Sequence, residues 1–289
     1  MLSFLLALLQ TAVPASSDAL PADWRAIPDD EVVVMTLADG GRVVIRLAAG
    51  RAAGHVANIR KLAVKKWWDA GGSVYRVQDN YVAQWGDVTE KKPLPADVEA
   101  NPPAEYEWQG EAPVAKLTRR DPYAEWAGYT RDGWPLAGSG ASQWLPHCYG
   151  MVGVARDLAP STGSGGDLYA VIGHGPRALD RNIAVVGRVV EGIERLSALP
   201  RGTGDLGFYK APAETPMAIR SVRLASQMPA AERPRFQYRA TDNPRFAAWI
   251  KTRENRQPPF FVVPAGGADI CNAMPPVRRA PPVTADAAR

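Results

Sequence analysis

Short runs of β-branched and aromatic residues, each closed off by Gly, Pro, Asp or Ser, recur along this chain and constrain its fold more than any other feature. Residues 31–37, EVVVMTL, and 42–47, RVVIRL, flank Asp39-Gly40-Gly41, and two such runs around an Asp-Gly-Gly turn predict an antiparallel hairpin. Val74 to Val77 and Tyr81 to Trp85 read as two further strands about the polar turn Gln78-Asp79-Asn80. Tyr149 to Ala155, Leu168 to Ile172 and Ile183 to Val190 follow, and Met217 to Leu224, MAIRSVRL, alternates as a closing strand. Between them lie only two helical patterns. In Gly54 to Lys66, Val56, Ile59, Leu62 and Ala63 fall on one face and the basic residues on the other, and Glu191 to Ala198 forms a brief second helix. About eight short strands with two helices fit a mainly β chain, closed as an antiparallel barrel with helices capping its ends.

The rest of the chain is organised differently. From Val88 to Pro146 the regular pattern stops, and this Pro- and Gly-rich insertion holds Trp108, Trp126, Trp134 and Trp144. A structureless loop of such length is uncommon unless it is functional or folded on itself. Two readings stand: a surface excursion whose indoles pack onto the core, or a rim that meets a partner. Past the closing strand, Asp242-Asn243-Pro244 caps a helix running to about Arg256, and the Pro- and Ala-rich remainder reads as a loosely held tail. The resulting division is a leader over residues 1–22, a barrel over 23–228 interrupted by 88–146, and a C-terminal extension over 229–289.

The leader has an apolar stretch, Leu2 to Leu9, followed by Val13-Pro14-Ala15, which reads as a secretory signal with a small-residue cleavage site and places the mature protein in the periplasm. The stretch is too short to span a bilayer, which needs about 20 apolar residues, so no stable membrane insertion is expected after its removal. The two cysteines, Cys148 and Cys271, fit an exported protein. Either a disulfide staples the tail back onto the core or both thiols are free.

Several chemistries are excluded or disfavoured. A net charge of +4 spread over 289 residues offers no basic block dense enough to follow a nucleic-acid backbone. His55, His147 and His174 show no ligand-like spacing, which argues against a metal site and reads as surface or capping histidines. STGSGG at 161–166 has neither a nucleophile elbow nor a P-loop lysine. His147 and Cys148 are adjacent, and adjacent strand residues point to opposite faces, so a thiol nucleophile with its base is not built there.

What remains is Arg76, set into VYRVQDNYVAQWGD with Gln84 eight residues on. A buried unpaired guanidinium costs several kcal/mol, so Arg76 either reaches solvent in a groove or is held by acceptors such as Gln84. From the pattern alone it can equally be an ordinary outward-facing barrel arginine.

The order of six blocks over roughly residues 30–225, GRVVIRL, HVANIRKL, YRVQDNYVAQWGD, YGMVGVAR, GGDLYAVIG and LDRNIAVVGRVVEGIERL, resembles the cyclophilin family of peptidyl-prolyl cis-trans isomerases, most of all the exported bacterial members. The resemblance implies a closed eight-stranded antiparallel cyclophilin-like barrel capped by two helices, here with a long insertion and a C-terminal extension. It implies isomerisation of X–Pro bonds in proline-containing polypeptides without metal or organic cofactor; a catalytically weak peptide-binding or chaperone module is the alternative. Arg76 matches the family's catalytic arginine and Gln84 the glutamine that holds it. Tyr81, Val82, Tyr169 and Leu179 fall where the family builds its proline pocket from Phe, Met, Phe and Leu. Ala155 and Arg156 match the segment that pairs with the substrate main chain. Asp167 stands in place of a second glutamine and Ile183 in place of His or Tyr. The two Phe-to-Tyr changes are expected to put hydroxyls at the pocket. The family's usual tryptophan has no counterpart, with Ala178 in its neighbourhood, which implies weak cyclosporin binding.

Overall fold

A computed structural model of the chain describes residues 16–89, 91–110 and 112–282; most of the leader segment lies outside them. Eight strands close an antiparallel barrel: β1 (Val32–Leu37), β2 (Arg42–Leu47), β3 (Gly72–Val77), β4 (Val82–Asp87), β5 (Met151–Val154), β6 (Leu168–Val171), β7 (Val185–Glu191) and β8 (Met217–Leu224). Around the barrel they run β5-β6-β4-β3-β8-β1-β2-β7. Alternation sends Val33, Met35 and Leu37, then Val43, Ile45 and Leu47, then Ala83 and Trp85 into one core. Helix α1 (Ala53–Val64) caps it with Val56, Ile59 and Leu62, and the short helix α2 (Ile193–Ser197) adds Leu196. Trp85 is therefore an interior residue, and its neighbour Gln84 faces out.

One departure from alternation matters for the site. Val74 and Val77 both belong to the interior core although they are three residues apart, because the β3–β4 register shifts between Val74 and Arg76. A bulge of this kind inserts one extra residue and re-aims its neighbours. Tyr75 and Arg76, consecutive in sequence, are thereby both left on the outer face.

The insertion is not the irregular loop its composition predicts. Residues 108–109, 115–116, 126–129, 135–139 and 142–144 form a five-stranded sheet. Short strands broken by prolines and glycines hide the period-2 signal. Trp134 and Trp144 are buried and Trp108 and Trp126 half-buried, so the indoles pack inward, as the surface-excursion reading expected.

The tail is held in part: residues 270–279 dock on the body, while Phe260, Val262 and Val263 before them stand exposed, and residues 283–289 lie outside the described ones. Helix α3 (Pro244–Glu254) starts where predicted, with the Asn243 side chain accepting from the Phe246 amide at 2.9 Å, and it buries Phe246 and Ile250 one turn apart. Strands at 24–26, 236–239 and 277–279 form a separate three-stranded sheet. Cys148 and Cys271, 123 residues apart, are joined as a disulfide. A second hydrophobic core unites the outer face of β4–β7 (Val82, Met151, Tyr169, Val171, Val185) with Tyr129 and Trp134 of the insertion and Phe246, Ile250 and Ile270 of the extension. Insertion and extension thus form a buttress behind one wall of the barrel.

Arg46 shows how firmly the buttress is seated. It projects outward from β2, yet only 4% of it is exposed, because its guanidinium lies between the rings of Trp134 (4.6 Å) and Tyr238 (4.4 Å) and faces Glu31 at 3.6 Å. Among the described residues no helix is long and apolar enough to cross a membrane.

Candidate active site

An open groove of about 710 Å³ crosses the outer face of β3, β4 and β6 and the loops beyond them. All ten residues singled out in sequence for catalysis or binding line it: Arg76, Gln84, Tyr81, Val82, Ala155, Arg156, Asp167, Tyr169, Leu179 and Ile183. The register explains why residues so far apart converge, since Arg76 pairs with Gln84 across β3–β4 and Gln84 with Tyr169 across β4–β6.

Arg76 is half-buried and held from three sides. Its Nε donates to the Leu206 carbonyl (2.7 Å), one terminal nitrogen to Gln84 Oε1 (2.9 Å) and the other to Gln78 Oε1 (2.7 Å). Phe208 and Tyr81 place their rings 5.2 and 5.9 Å from the guanidinium carbon. Burial draws its pKa below the ordinary arginine value while the nearby Tyr81, Tyr75 and Tyr169 act the other way; an arginine remains charged throughout the working pH range.

Behind Arg76 the bonds continue. Gln84 Nε2 donates to the Tyr75 hydroxyl at 2.7 Å, and that hydroxyl donates to Asp167 Oδ1 at 2.9 Å. Asp167 thus lines the groove with its carboxylate engaged by a neighbour, and it lies close over Gly86, where an added Cβ would come within 1.7 Å of Oδ1. The Ala155 amide donates to the Asp167 carbonyl at 2.9 Å, so pairing of a peptide at Ala155 runs through its carbonyl oxygen. Arg156 is spent on structure: Nε and one terminal nitrogen donate to the Asn182 carbonyl (3.2 and 2.9 Å), and its guanidinium faces the insertion's Tyr106.

Tyr81, Val82, Tyr169, Leu179 and Ile183 make an apolar bay beside Arg76. The expectation that both tyrosine hydroxyls face this bay fails for Tyr169. Its side chain is buried and its hydroxyl meets His147 Nε2 at 2.9 Å. Asp180 Oδ1 accepts from the His147 backbone amide (2.8 Å) and lies 3.0 Å from Nδ1. A carboxylate only accepts, so Nδ1 carries a proton, and Nε2 is the ring nitrogen that meets the Tyr169 hydroxyl. Asp180 also accepts from Trp144 Nε1 (3.1 Å) and Arg177 Nε (3.0 Å), and Arg177 forks onto Asp121 at 2.6 and 3.2 Å. His147 is therefore no surface group, and neither is His55, fully buried with Nδ1 2.6 Å from Glu105.

Burial pushes the Asp180 carboxyl up, but the His147 hydrogen bond and the Arg177 charge outweigh it, leaving it below the ordinary value of 3.8. A carboxyl lowered in the folded state adds stability that is complete at neutral pH and is lost as pH falls through 3.8 and below. Asp180→Asn is expected to flatten that part of the stability–pH curve between about pH 5 and 3; an unchanged acid limb in thermal unfolding would contradict this. Burial, followed by Tyr81 and Asp180, holds the Tyr169 phenol well above its usual range, so it stays a neutral donor.

Sequence reasoning passed over Tyr75, Gln78, Leu206 and Phe208. Strict alternation along β3 puts Tyr75 on the face opposite Arg76, and the bulge reverses this. Leu206 and Phe208 come from a Gly-rich loop 130 residues downstream of Arg76, which pairs with Arg76 through an isolated bridge at Phe208; no local signal announces such a contact. Among the described residues no group of three or more His, Cys, Asp or Glu could hold a metal ion.

A family model described as "Cyclophilin type peptidyl-prolyl cis-trans isomerase/CLD" matches residues 32–224, a span that begins at β1 and ends at β8. Among solved structures, the cyclophilin AquaCyp293 from Hirschia baltica is similar over 90% of this chain and 94% of its own, with 24% identity and a TM-score of 0.70. A cyclophilin-type peptidyl-prolyl cis-trans isomerase from Cryptosporidium parvum, solved in the presence of the dipeptide Ala-Pro, is matched over 67% of this chain and 98% of its own, at 11% identity and a TM-score of 0.41. No curated protein matches the chain in sequence.

Proposed function

Because the chain belongs to the cyclophilin-type peptidyl-prolyl cis-trans isomerase family, and is an isomerase of that type, we propose that it turns over X–Pro bonds in unfolded or flexible polypeptides outside the cytoplasm. The observation that carries the reading is the pairing of a donor with a pocket. Arg76 is held by hydrogen bonds at the edge of the apolar bay formed by Tyr81, Val82, Leu179 and Ile183.

Rotation about the X–Pro amide must break its resonance against a barrier of about 18–20 kcal/mol. As the amide twists, its nitrogen lone pair leaves conjugation and becomes a better acceptor. A charged donor aimed at that nitrogen binds the twisted form more tightly than either planar isomer, and only such differential binding speeds the reaction. Tyr81, Val82, Leu179 and Ile183 grip the ring, the turned-away hydroxyl of Tyr169 keeps that wall apolar, and the strand edge near Ala155 fixes the flanking peptide. The carbonyl side is left to swing, and no bond is made or broken.

Two observations support export. Leu2 to Leu9 with Val13-Pro14-Ala15 reads as a secretory signal, and a disulfide between Cys148 and Cys271 belongs in an oxidising compartment. The groove lies open along the outer face of the barrel, which suits polypeptide substrates. We expect the protein to accelerate cis-to-trans exchange in Xaa-Pro tetrapeptides and the proline-limited refolding of an oxidised test protein, and to fractionate with periplasmic markers. Absence of acceleration across a panel of residues before proline would sink the substrate reading, and recovery in the cytosolic fraction would sink export.

A further inference from the structure

The structure assigns Asp167 and Tyr75 a role in the reaction: we infer that Asp167 sets the direction of a hydrogen-bond chain that runs through Tyr75 and Gln84 to Arg76. The inference rests on the isomerase reading of the groove and names two positioning residues for it.

Donors and acceptors fix the direction of the chain. The Asp167 carboxylate can only accept, so the single hydroxyl proton of Tyr75 is committed to it at 2.9 Å. With its proton spent, the Tyr75 oxygen is left as an acceptor toward Gln84, which offers Nε2 at 2.7 Å. A carboxamide whose nitrogen faces Tyr75 must present its oxygen on the opposite side, where it meets the Arg76 guanidinium at 2.9 Å. Each link dictates the next, and the last places an acceptor rather than a donor against the cation. Reversed, the Gln84 NH2 would face the guanidinium, two donors opposed, and Arg76 would lose one of the acceptors that aim it.

Burial makes the choice binding. Tyr75 is 4% and Gln84 8% exposed, so water is a poor substitute partner for either, and an unmade bond there is expensive. The bulge in β3 supports the same reading, since it is the device that puts Tyr75 on the face of Gln84 and Arg76 instead of in the barrel interior. An accepting group at position 167 and a hydroxyl at 75 thus act as a matched pair. Asp167 does this work from behind Gln84, through another side chain.

The test combines rates with a readout independent of activity. Tyr75→Phe and Asp167→Leu are each expected to lower kcat on an X–Pro peptide about tenfold, the size of one charge-assisted hydrogen bond, with KM little changed. The double variant should be no slower than the worse single one, because both break the same chain. Asp167→Asn, whose carboxamide oxygen can still accept from Tyr75, should recover the rate to within about threefold. In 15N–1H spectra the side-chain amide of Gln84, assigned through Gln84→Glu, should shift or broaden in Tyr75→Phe and Asp167→Leu and return in Asp167→Asn. Additive losses, or losses carried by KM, would overturn the inference and make Asp167 a direct contact to peptide, and unmoved Gln84 resonances in folded variants would also overturn it. A wild type inert on every peptide would defeat the substrate reading while leaving the spectroscopic test intact.

Discussion

Arg76→Ala should lose about a hundredfold in kcat/KM on X–Pro peptides while remaining folded, a loss of about 2.7 kcal/mol of transition-state stabilisation. The size follows from what Arg76 is and how it is held. A guanidinium has five N–H donors in a fixed fork; three are given to Leu206, Gln84 and Gln78, and two remain for the substrate. Because those three bonds and the flanking rings of Phe208 and Tyr81 fix the side chain beforehand, little rotamer entropy is lost when it meets the twisted amide. Charge-assisted hydrogen bonds contribute about 1.5–3 kcal/mol, the range the prediction needs. Arg76→Lys keeps the charge but loses the fork and at least two of the three restraints, so it should recover little of the rate. The cost in stability should be small, since truncating the half-buried Arg76 side chain opens a gap to the groove through which water reaches the oxygens of Leu206, Gln78 and Gln84 that it served. Exchange spectroscopy on a tetrapeptide, with thermal unfolding as the control, decides the matter: a folded Arg76→Ala that retains the wild-type rate would remove Arg76 from the chemistry and leave the groove a peptide clamp.

The largest effect on stability is expected at Arg177. Its side chain and that of Asp121 are fully buried, and Asp180 is 5% exposed. The single guanidinium joins the insertion, through Asp121, to the loop that carries Asp180, and lies 3.9 Å from Asp269 of the extension. Arg177→Met removes the cation that the buried carboxylates of Asp121 and Asp180 share, and breaking such an arrangement from one side costs about 3–5 kcal/mol. The loss should appear as a lower midpoint in urea at pH 7, and should shrink in acid as the Asp180 carboxyl, which Arg177 helps hold low, takes up its proton. The double variant Arg177→Met/Asp121→Leu should regain part of it, because the uncompensated charge is then gone. A loss under about 1 kcal/mol in the single variant would contradict this and mean that water fills the gap and solvates both carboxylates.

The barrel was legible because its strands alternate cleanly and are punctuated by turn residues. EVVVMTL and RVVIRL became β1 and β2 nearly to the residue, and the Asn243 cap of α3 lay where Asp-Asn-Pro put it. The groove residues were legible for another reason: their order along the chain resembled a known family, and the cross-strand register then gathered them. What could not be read shares one cause, dependence on contacts distant in sequence. The insertion's strands are two to five residues long and gain order only by packing on the barrel. The strand at 277–279 was hidden because nothing local in a Pro- and Ala-rich segment foretells a partner 40 residues back, whereas the disulfide to Cys148 was one of the two readings the cysteines allowed. His147 read as an isolated histidine because Asp180 and Tyr169, its partners, lie 33 and 22 residues away. The turned hydroxyl of Tyr169 follows from that histidine and could not be foreseen without it.

The three-stranded sheet carries a consequence for biosynthesis. Its edge strand at 24–26 pairs with 236–239, which in turn pairs with 277–279, so the first strand emerges from the ribosome about 210 residues ahead of its partner. At roughly 5–20 residues per second that is a delay of about 10–40 s. Through this interval Trp24 and Arg25 have no native mate, and the buttress behind the groove wall lacks its last third. The molecule cannot finish its own assembly vectorially: the barrel must wait, half clad, for its C-terminal segment to arrive, which makes this isomerase a late folder itself.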